Sequence, residues 1–315
     1  MQFMITTVCL NPCIDRTVTI DSFNYGGMNR VKRVTVDGTG KAVNVALAGR
    51  ALGCSMGCIG LLGKTNGSLV RDKLIQAGVS DYFIPCEGAV RTNIKVFDAS
   101  KGVVTELNEA GMNATDAQLE EMLRLCCQWA QRSGALVLTG SLPPLCVPDY
   151  YGRVMDAVKK VAPDCALVVD AEGEKLAAAL KRRPYLIKPN LYELEMLCGR
   201  KLTSTKAQVR ELEKLISDGS AQTAILSMGA DGAFIADHRG VFYASALQVN
   251  VATTAGAGDA MLTGALVALL EGGSAADALA EGTALAAAAV ATPGSGSVDI
   301  ELYQQLRLQV AVQAL

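Results

Sequence analysis

From Gly111 onward the chain repeats one phrase: a helix-length amphipathic run, a short apolar run, then a polar cluster. A strand of four or five residues with no polar face must be covered on both sides. A mainly parallel sheet between two helical layers does that, so the phrase predicts an α/β/α sandwich. Helices are expected over 115–132, 150–161, 176–180, 191–198 and 206–217, and strands over 135–138, 166–169, 185–187 and 223–226. Thr115, with Gln118 three residues on, carries a capping-box pattern. A hairpin over 233–244 follows. Earlier, 3–10 reads as a strand apolar on both faces, 42–52 as a helix closed by Gly53, and 67–76 as a helix closed by Gly78. Polar residues gather after the strands: Asn11 and Asp15, Gly140-Ser141, Asp170, Lys188 and Asn190, Ser227 and Gly229. In an open α/β sheet the strand C-terminal ends form the ligand edge.

Two stretches break the phrase. Residues 17–36 and 91–107 alternate polar and apolar side chains, as in Asn93-Ile94-Lys95-Val96-Phe97. That is the period of strands with one wet face, and it predicts a small second sheet. No internal repeat, low-complexity tract or linker separates the parts. The expected organisation is one domain over 1–315, with the small sheet formed by about 16–36 and 90–107.

Composition closes off several classes. The chain has 315 residues, of which 50% are hydrophobic, and a formal net charge of −2, which argues against a nucleic-acid partner. Mean hydropathy is +0.27, raised by alanine and small aliphatics. No apolar run reaches the ~20 residues of a membrane span, and Met1-Gln2-Phe3-Met4-Ile5 lacks the basic segment of a leader. The ten cysteines are scattered, with no Cys-x-x-Cys pair, and predict free thiols in a reducing cytoplasm. The single histidine, His238, falls in a predicted turn, which rules out a His-rich metal site. Cys58 to Thr65 ends like a P-loop, but Cys58 stands where that motif needs its first glycine; a buried strand and turn are expected instead.

Thr253-Thr254-Ala255-Gly256-Ala257-Gly258-Asp259 is a glycine turn running into an apolar helix from Met261 to Leu270. The first amides of such a helix have no internal partner and sit at its positive end, so they suit a phosphate. A carboxylate in the same turn can accept the proton of an attacking hydroxyl. Asp259 reads equally well as an ordinary first-turn acid that suits the helix dipole. Asp37-Gly38-Thr39-Gly40-Lys41-Ala42-Val43-Asn44 is a second glycine turn into a helix. Lys41 there can meet a phosphate as a point charge, and Asn44 can bond to hydroxyls.

Thr254 to Asp259 resembles the C-terminal signature of the PfkB, or ribokinase-like, carbohydrate kinases. Leu10-Asn11-Pro12-Cys13-Ile14-Asp15-Arg16-Thr17 is similar to the subgroup acting on sugar phosphates, which includes 1-phosphofructokinases and tagatose-6-phosphate kinases. The likeness runs through nearly the whole chain. It implies a ribokinase-like three-layer fold, with a lid that pairs two subunits. It also implies transfer of a phosphoryl group from ATP, with Mg²⁺, to a ketohexose phosphate: fructose 1-phosphate first, tagatose 6-phosphate second. Asp259 becomes the base, and Gly256, Ala257 and Gly258 the anion hole. Asp15, Gly40, Asn44, Asn93 and Ser141 fall on the sugar, with Lys41, Arg91 and Arg30 on its phosphate. Lys188, Asn190, Glu193, Ser227, Gly229, Gly232 and Thr254 fall on the nucleotide, Glu193 also reaching Mg²⁺ through water. Asn190 and Glu193 match a capping box as well. The alanine-rich run 283–291 suits either an adenine wall or close helix–sheet packing. Thr39 and Ala42 stand where the family's first signature usually has glycine, and an alanine at positive φ would be strained, so a different local backbone is expected. Two rivals are a sugar-phosphate or nucleotide sensor on the same fold, against which Asp259 speaks, and a dinucleotide oxidoreductase, which would need Gly-x-Gly-x-x-Gly where Asn11-Pro12-Cys13 stands.

Overall fold

The computed structural model describes residues 3–315; Met1 and Gln2, on which the leader expectation partly rests, lie outside them. In chain order the first half runs β1 (Met4–Cys9), β2 (Cys13–Ile20), β3 (Arg33–Thr39), α1 (Lys41–Ala51), β4 (Ser55–Gly63), α2 (Ser68–Gln76), β5 (Ser80–Cys86), β6 (Arg91–Asp98), β7 (Val103–Asn108) and α3 (Asp116–Ala130). Then come β8 (Ala135–Thr139), α4 (Tyr150–Val161), β9 (Ala166–Asp170), α5 (Gly173–Leu180), β10 (Leu186–Ile187), α6 (Leu191–Cys198), α7 (Thr205–Ser217) and β11 (Thr223–Ser227). The chain closes with β12 (Ala233–Asp237), β13 (Gly240–Ala244), α8 (Ala257–Leu270), α9 (Ala275–Ala291), α10 (Ile300–Arg307) and β14 (Val312–Ala314).

Ten strands form the main sheet in the order β14-β13-β12-β11-β10-β9-β8-β1-β4-β5. From β5 to β11 neighbouring strands are parallel; β12, β13 and β14 continue antiparallel. Each central strand sends alternate side chains to two separate cores. In β1, Val8 enters one with Leu61 and Leu138, while Ile5 and Cys9 enter the other with Met56 and Val137. This is the covered, mainly parallel sheet that the helix–strand phrase predicts, and it has the ribokinase-like architecture that the resemblance implies. The Cys58 segment is part of β4, a buried strand followed by a turn. All ten cysteines are free thiols, and no helix among the described residues is long and apolar enough to cross a membrane.

Local signals explain most element ends. The Thr115 and Asn190 capping boxes both form, and Gly53 and Gly78 follow their helices at φ 81° and 72°. Helix α8 is apolar almost all round and buried over Asp259–Leu266 except where its start meets the site. It packs on α9 through two glycines. A β-carbon on Gly264 would come 2.8 Å from the Glu281 carbonyl oxygen, and one on Gly282 2.7 Å from that of Met261.

The small sheet has the order β3-β2-β6-β7. Its strands span 13–20, 33–39, 91–98 and 103–108, so the first segment starts three residues earlier and ends three later than expected. Residues 21–32 between β2 and β3 form a loop that is largely exposed. The extension matters because it brings Asp15 into a strand.

Gly282→Val should wedge α9 away from α8. Overpacking of this kind costs ~1–3 kcal/mol, read as a lower urea midpoint at unchanged m-value; an unaltered midpoint would show that the two helices do not depend on this contact.

Candidate active site

Main-sheet strand ends, two glycine turns and the small sheet enclose a cavity of about 640 Å³. At its floor α8 begins from Gly256, left-handed at φ 85°. The amides of Ala257, Gly258 and Asp259 belong to the first turn, which lacks internal acceptors. Asp259 is 6% exposed and accepts a 2.8 Å hydrogen bond from Asn44 Nδ2. Thr39 Oγ1 donates to Asn44 Oδ1 at 2.9 Å, so both ends of that amide are held by protein. Asn44, expected on a sugar hydroxyl, lines the cavity and also orients Asp259. Thr39 and Ala42 also find a physical account. Ala42 lies inside α1 and is buried, and the unusual backbone falls on Gly40 at φ 143°.

Asp170, at the end of β9, is fully buried. Lys41 Nζ lies 3.3 Å from it, Lys188 Nζ 3.5 Å, and Thr139 Oγ1 donates to it at 3.3 Å. Burial pushes its carboxyl up, but the ammoniums of Lys188 and Lys41 prevail and hold it below the usual range. Burial likewise opposes the charge of Lys41, and Asp170 chiefly, then Asp259 and Glu193, raise its affinity for the proton. Among the described residues no ammonium lies within salt-bridge distance of Asp259. Burial first, and the Asp170 charge second, raise its pKa to about 6, with Lys41, Asn44 and Lys188 pulling the other way. Two buried carboxylates thus have opposite characters: Asp170 is a permanent anion, and Asp259 is poised to take a proton.

The small sheet supplies the opposite wall. Asp15 receives Lys95 Nζ at 2.6 Å and Asn93 Nδ2 at 3.2 Å. Arg91 also faces the cavity, where its buried Nε has no hydrogen-bond partner among the described residues; neither have Asn93 Oδ1 and Asn11 Oδ1. Buried polar atoms are rarely left single, so this wall is built for a polar ligand. Gly40 and Ser141 line the same cavity. Ser141 accepts from Asn11 Nδ2 at 3.2 Å.

Asn190 and Glu193 form their reciprocal cap, with Glu193 Oε2 on the Asn190 N–H at 2.8 Å, and both also line the cavity. Ser227, Thr254 and Gly258 belong at once to this cavity and to a second, apolar one of about 380 Å³. Gly229, Gly232 and Ala257 line the second, together with Thr283, Ala286, Ala287 and Val290 of α9. Gly232 is required there, because a β-carbon would sit 2.2 Å from the Ala244 carbonyl oxygen. One face of helix α9 packs on α8, and another lines this slot.

Arg30 is the exception. It lies in the exposed 21–32 loop, outside both cavities, so the structure does not bring it to the other cations. Sequence reasoning gave no role to Asp170 or Lys95. Their signals were present: Asp170 closes an apolar strand at the ligand edge, and Lys95 shares the alternation of Arg91 and Asn93.

The profile of the pfkB family carbohydrate kinases matches residues 8–301. Over 319 residues the chain is 32% identical to the 1-phosphofructokinase of Vibrio cholerae, covering 100% of this chain and 98% of that protein. Its counterpart in Escherichia coli is 31% identical, with 99% of each covered. Among solved structures, phosphofructokinase-2 from Escherichia coli in complex with potassium superposes with a TM-score of 0.89 at 25% identity, over 98% of this chain and 99% of that one.

Above pH 6 the folded protein holds Asp259 ionised at a cost that the unfolded chain avoids. From an ordinary 3.8 to about 6, the cost is ~3 kcal/mol. Asp259→Asn should therefore raise Tm by a few degrees at pH 8. The gain should shrink as pH falls through about 6 and vanish below 3.8, where the wild-type carboxyl is neutral in both states. Equal Tm values at pH 8 would mean that Asp259 is not held against its charge.

Proposed function

The chain belongs to the pfkB family of carbohydrate kinases, phosphotransferases with an alcohol acceptor that use ATP, and on that premise we propose that it phosphorylates fructose 1-phosphate to fructose 1,6-bisphosphate. The observation that carries the reading is the setting of Asp259: a buried carboxylate, aimed by Asn44, in the first turn of a helix whose start at Gly256 and Gly258 lines the same cavity. The relatives named 1-phosphofructokinase, at 31–33% identity, support the sugar. So does Arg91, a cation at the sugar-side wall with a buried unpaired Nε, suited to the phosphate the substrate already carries. Tagatose 6-phosphate is the second candidate, since the same wall would serve another phosphorylated ketose.

In this mechanism a sugar hydroxyl passes its proton to Asp259 as its oxygen bonds to the γ-phosphorus of ATP and the bond to the β-phosphate oxygen breaks. The amides of Gly256, Ala257 and Gly258 take up charge on the moving phosphoryl group. Lys41 and Lys188, fixed by Asp170, add positive charge between donor and acceptor without competing for the Asp259 proton. Asp15 and Asn93 hold sugar hydroxyls, with Ser141 and Gly40 beside them. The apolar slot under Ser227, Gly229, Gly232 and Thr254 takes the base. For Mg²⁺ the protein offers little beyond Glu193, whose second carboxylate oxygen is left over from the cap. That suits an ion held mostly by phosphate oxygens and water; bound, it would neutralise the triphosphate.

The same alternation that turns Asp15, Asn93 and Lys95 inward turns Val18, Val34, Val36, Ile94, Val96 and Leu107 outward. Val34, Val36 and Leu107 are 42%, 51% and 58% exposed. A second copy of the chain is the occupant proposed for this face, giving a homodimer. The scattered free thiols favour a cytoplasmic setting.

ADP release with Mg-ATP should be fastest with fructose 1-phosphate, against fructose 6-phosphate, tagatose 6-phosphate and fructose. Asp259→Asn should keep both substrates bound and lose at least ~10³ in kcat. Full turnover in that variant would remove Asp259 from the chemistry. Wild-type kcat should fall as pH drops through about 6. Arg91→Ala should raise KM for the sugar phosphate far more than for ATP; equal effects would take Arg91 off the phosphate.

A further inference from the structure

Lys73 of α2 lies outside both cavities, yet its ammonium is fully committed. Nζ donates to Asp37 Oδ1 at 2.7 Å, to Asp37 Oδ2 at 2.8 Å and to the Ser295 carbonyl oxygen at 2.9 Å. These partners belong to different parts of the molecule. Asp37 is on β3 of the small sheet, directly opposite Asp15. Like charges in that relation repel, and each has its own counter-ion, Lys95 for Asp15 and Lys73 for Asp37. Ser295 is buried and lies in a loop flanked by Gly294 and Gly296 at φ 98° and 76°.

That loop is wedged behind the glycine turn of α8. A β-carbon on Gly296 would come 3.0 Å from both Cα and Oδ1 of Asn44, and one on Gly256 3.2 Å from Gly296 N. Helix α2 in turn lies directly on β3, since a β-carbon on Gly38 would come 2.4 Å from the Leu69 carbonyl oxygen. One ammonium therefore joins the small sheet to the loop on which Asn44 and Gly256 rest, and Asn44 aims Asp259.

We propose that Lys73 is a positioning residue that couples the small sheet over the sugar to the anion turn and Asp259, so that sheet and catalytic turn hold one geometry. The kinetic part rests on the kinase reading above. A merely structural ion pair on this partly exposed site would move stability alone.

Lys73→Met should lower kcat and raise KM for the sugar phosphate, together about tenfold or more in kcat/KM, with the Kd for ATP in the absence of sugar within about twofold of wild type. Amides of residues 294–296 should exchange faster with deuterium. Asp37→Asn, which keeps the fold's shape and weakens the same tie, should act in the same direction, and Lys73→Met/Asp37→Asn should be no worse than Lys73→Met. Wild-type kinetics in Lys73→Met, or additive losses in the double variant, would overturn the coupling. If the wild type turns over no sugar phosphate, the kinase reading fails. The tie is then judged on exchange at 294–296, and unchanged exchange in both single variants would refute it.

Discussion

Everything at the ligand edge answers to one constraint, a carboxylate with no access to water. Asp170 ends a strand in the middle of a sheet covered on both faces, and an isolated charge there would be prohibitively unfavourable. Lys41 and Lys188 approach it from two different elements, one after β3 and one after β10. Replacing such a cluster with apolar groups could well be neutral for stability. Its consequence is positional: two ammoniums are held where nothing but their tie to Asp170 would keep them. Because Asp170 takes up their charge first, Asp259, a short distance further, stays a weak acid rather than a neutralised ion. The division of labour between the two acids follows from which one the lysines reach.

The catalytic turn depends on packing of an unusual kind. Helix α8 has no wet face, so it cannot be placed by amphipathicity. Gly264 and Gly282 let α8 and α9 approach at backbone distance. Buried Leu262 and Leu266 each contribute ~1.5–3 kcal/mol by transfer. A helix fixed that closely presents its first turn as a rigid object, and preorganised amides cost nothing to reorient at the moment of reaction. Further along α9, Thr283, Ala286 and Ala287 line the slot beside Ser227 and Gly229.

Much of this is legible in the sequence because the signals are local. Short apolar strands between helices force a covered parallel sheet, and capping boxes at Thr115 and Asn190 fix helix starts to the residue. What escaped lacks local signals. Strand β5 has a mixed burial pattern and Pro85 near its end, tolerable because it lies at the sheet edge. Strand β14 is three residues long and exists only through pairing with β13. At the site, residue types were easier to read than partners. That Asn44 spans Thr39 and Asp259, or that Lys41 turns to Asp170, are contacts between residues 5, 215 and 129 positions apart. Arg30 shows the converse: its type suits a phosphate, but its loop carries it away from the cavity.

The small sheet shows how a single periodicity can set two properties. In a strand, inward and outward residues alternate without choice. Once Asp15, Asn93 and Lys95 line up on one face, Val18, Ile94 and Val96 must line up on the other. A four-stranded sheet with no second layer of its own cannot bury that apolar face within the chain, and a slip of one residue would exchange the two faces completely. The cavity wall and the exposed apolar face are therefore one feature of the register. Any change that shifts the register to alter the cavity wall must also alter the outer face, so the proposed sugar contacts and the proposed self-association would vary together.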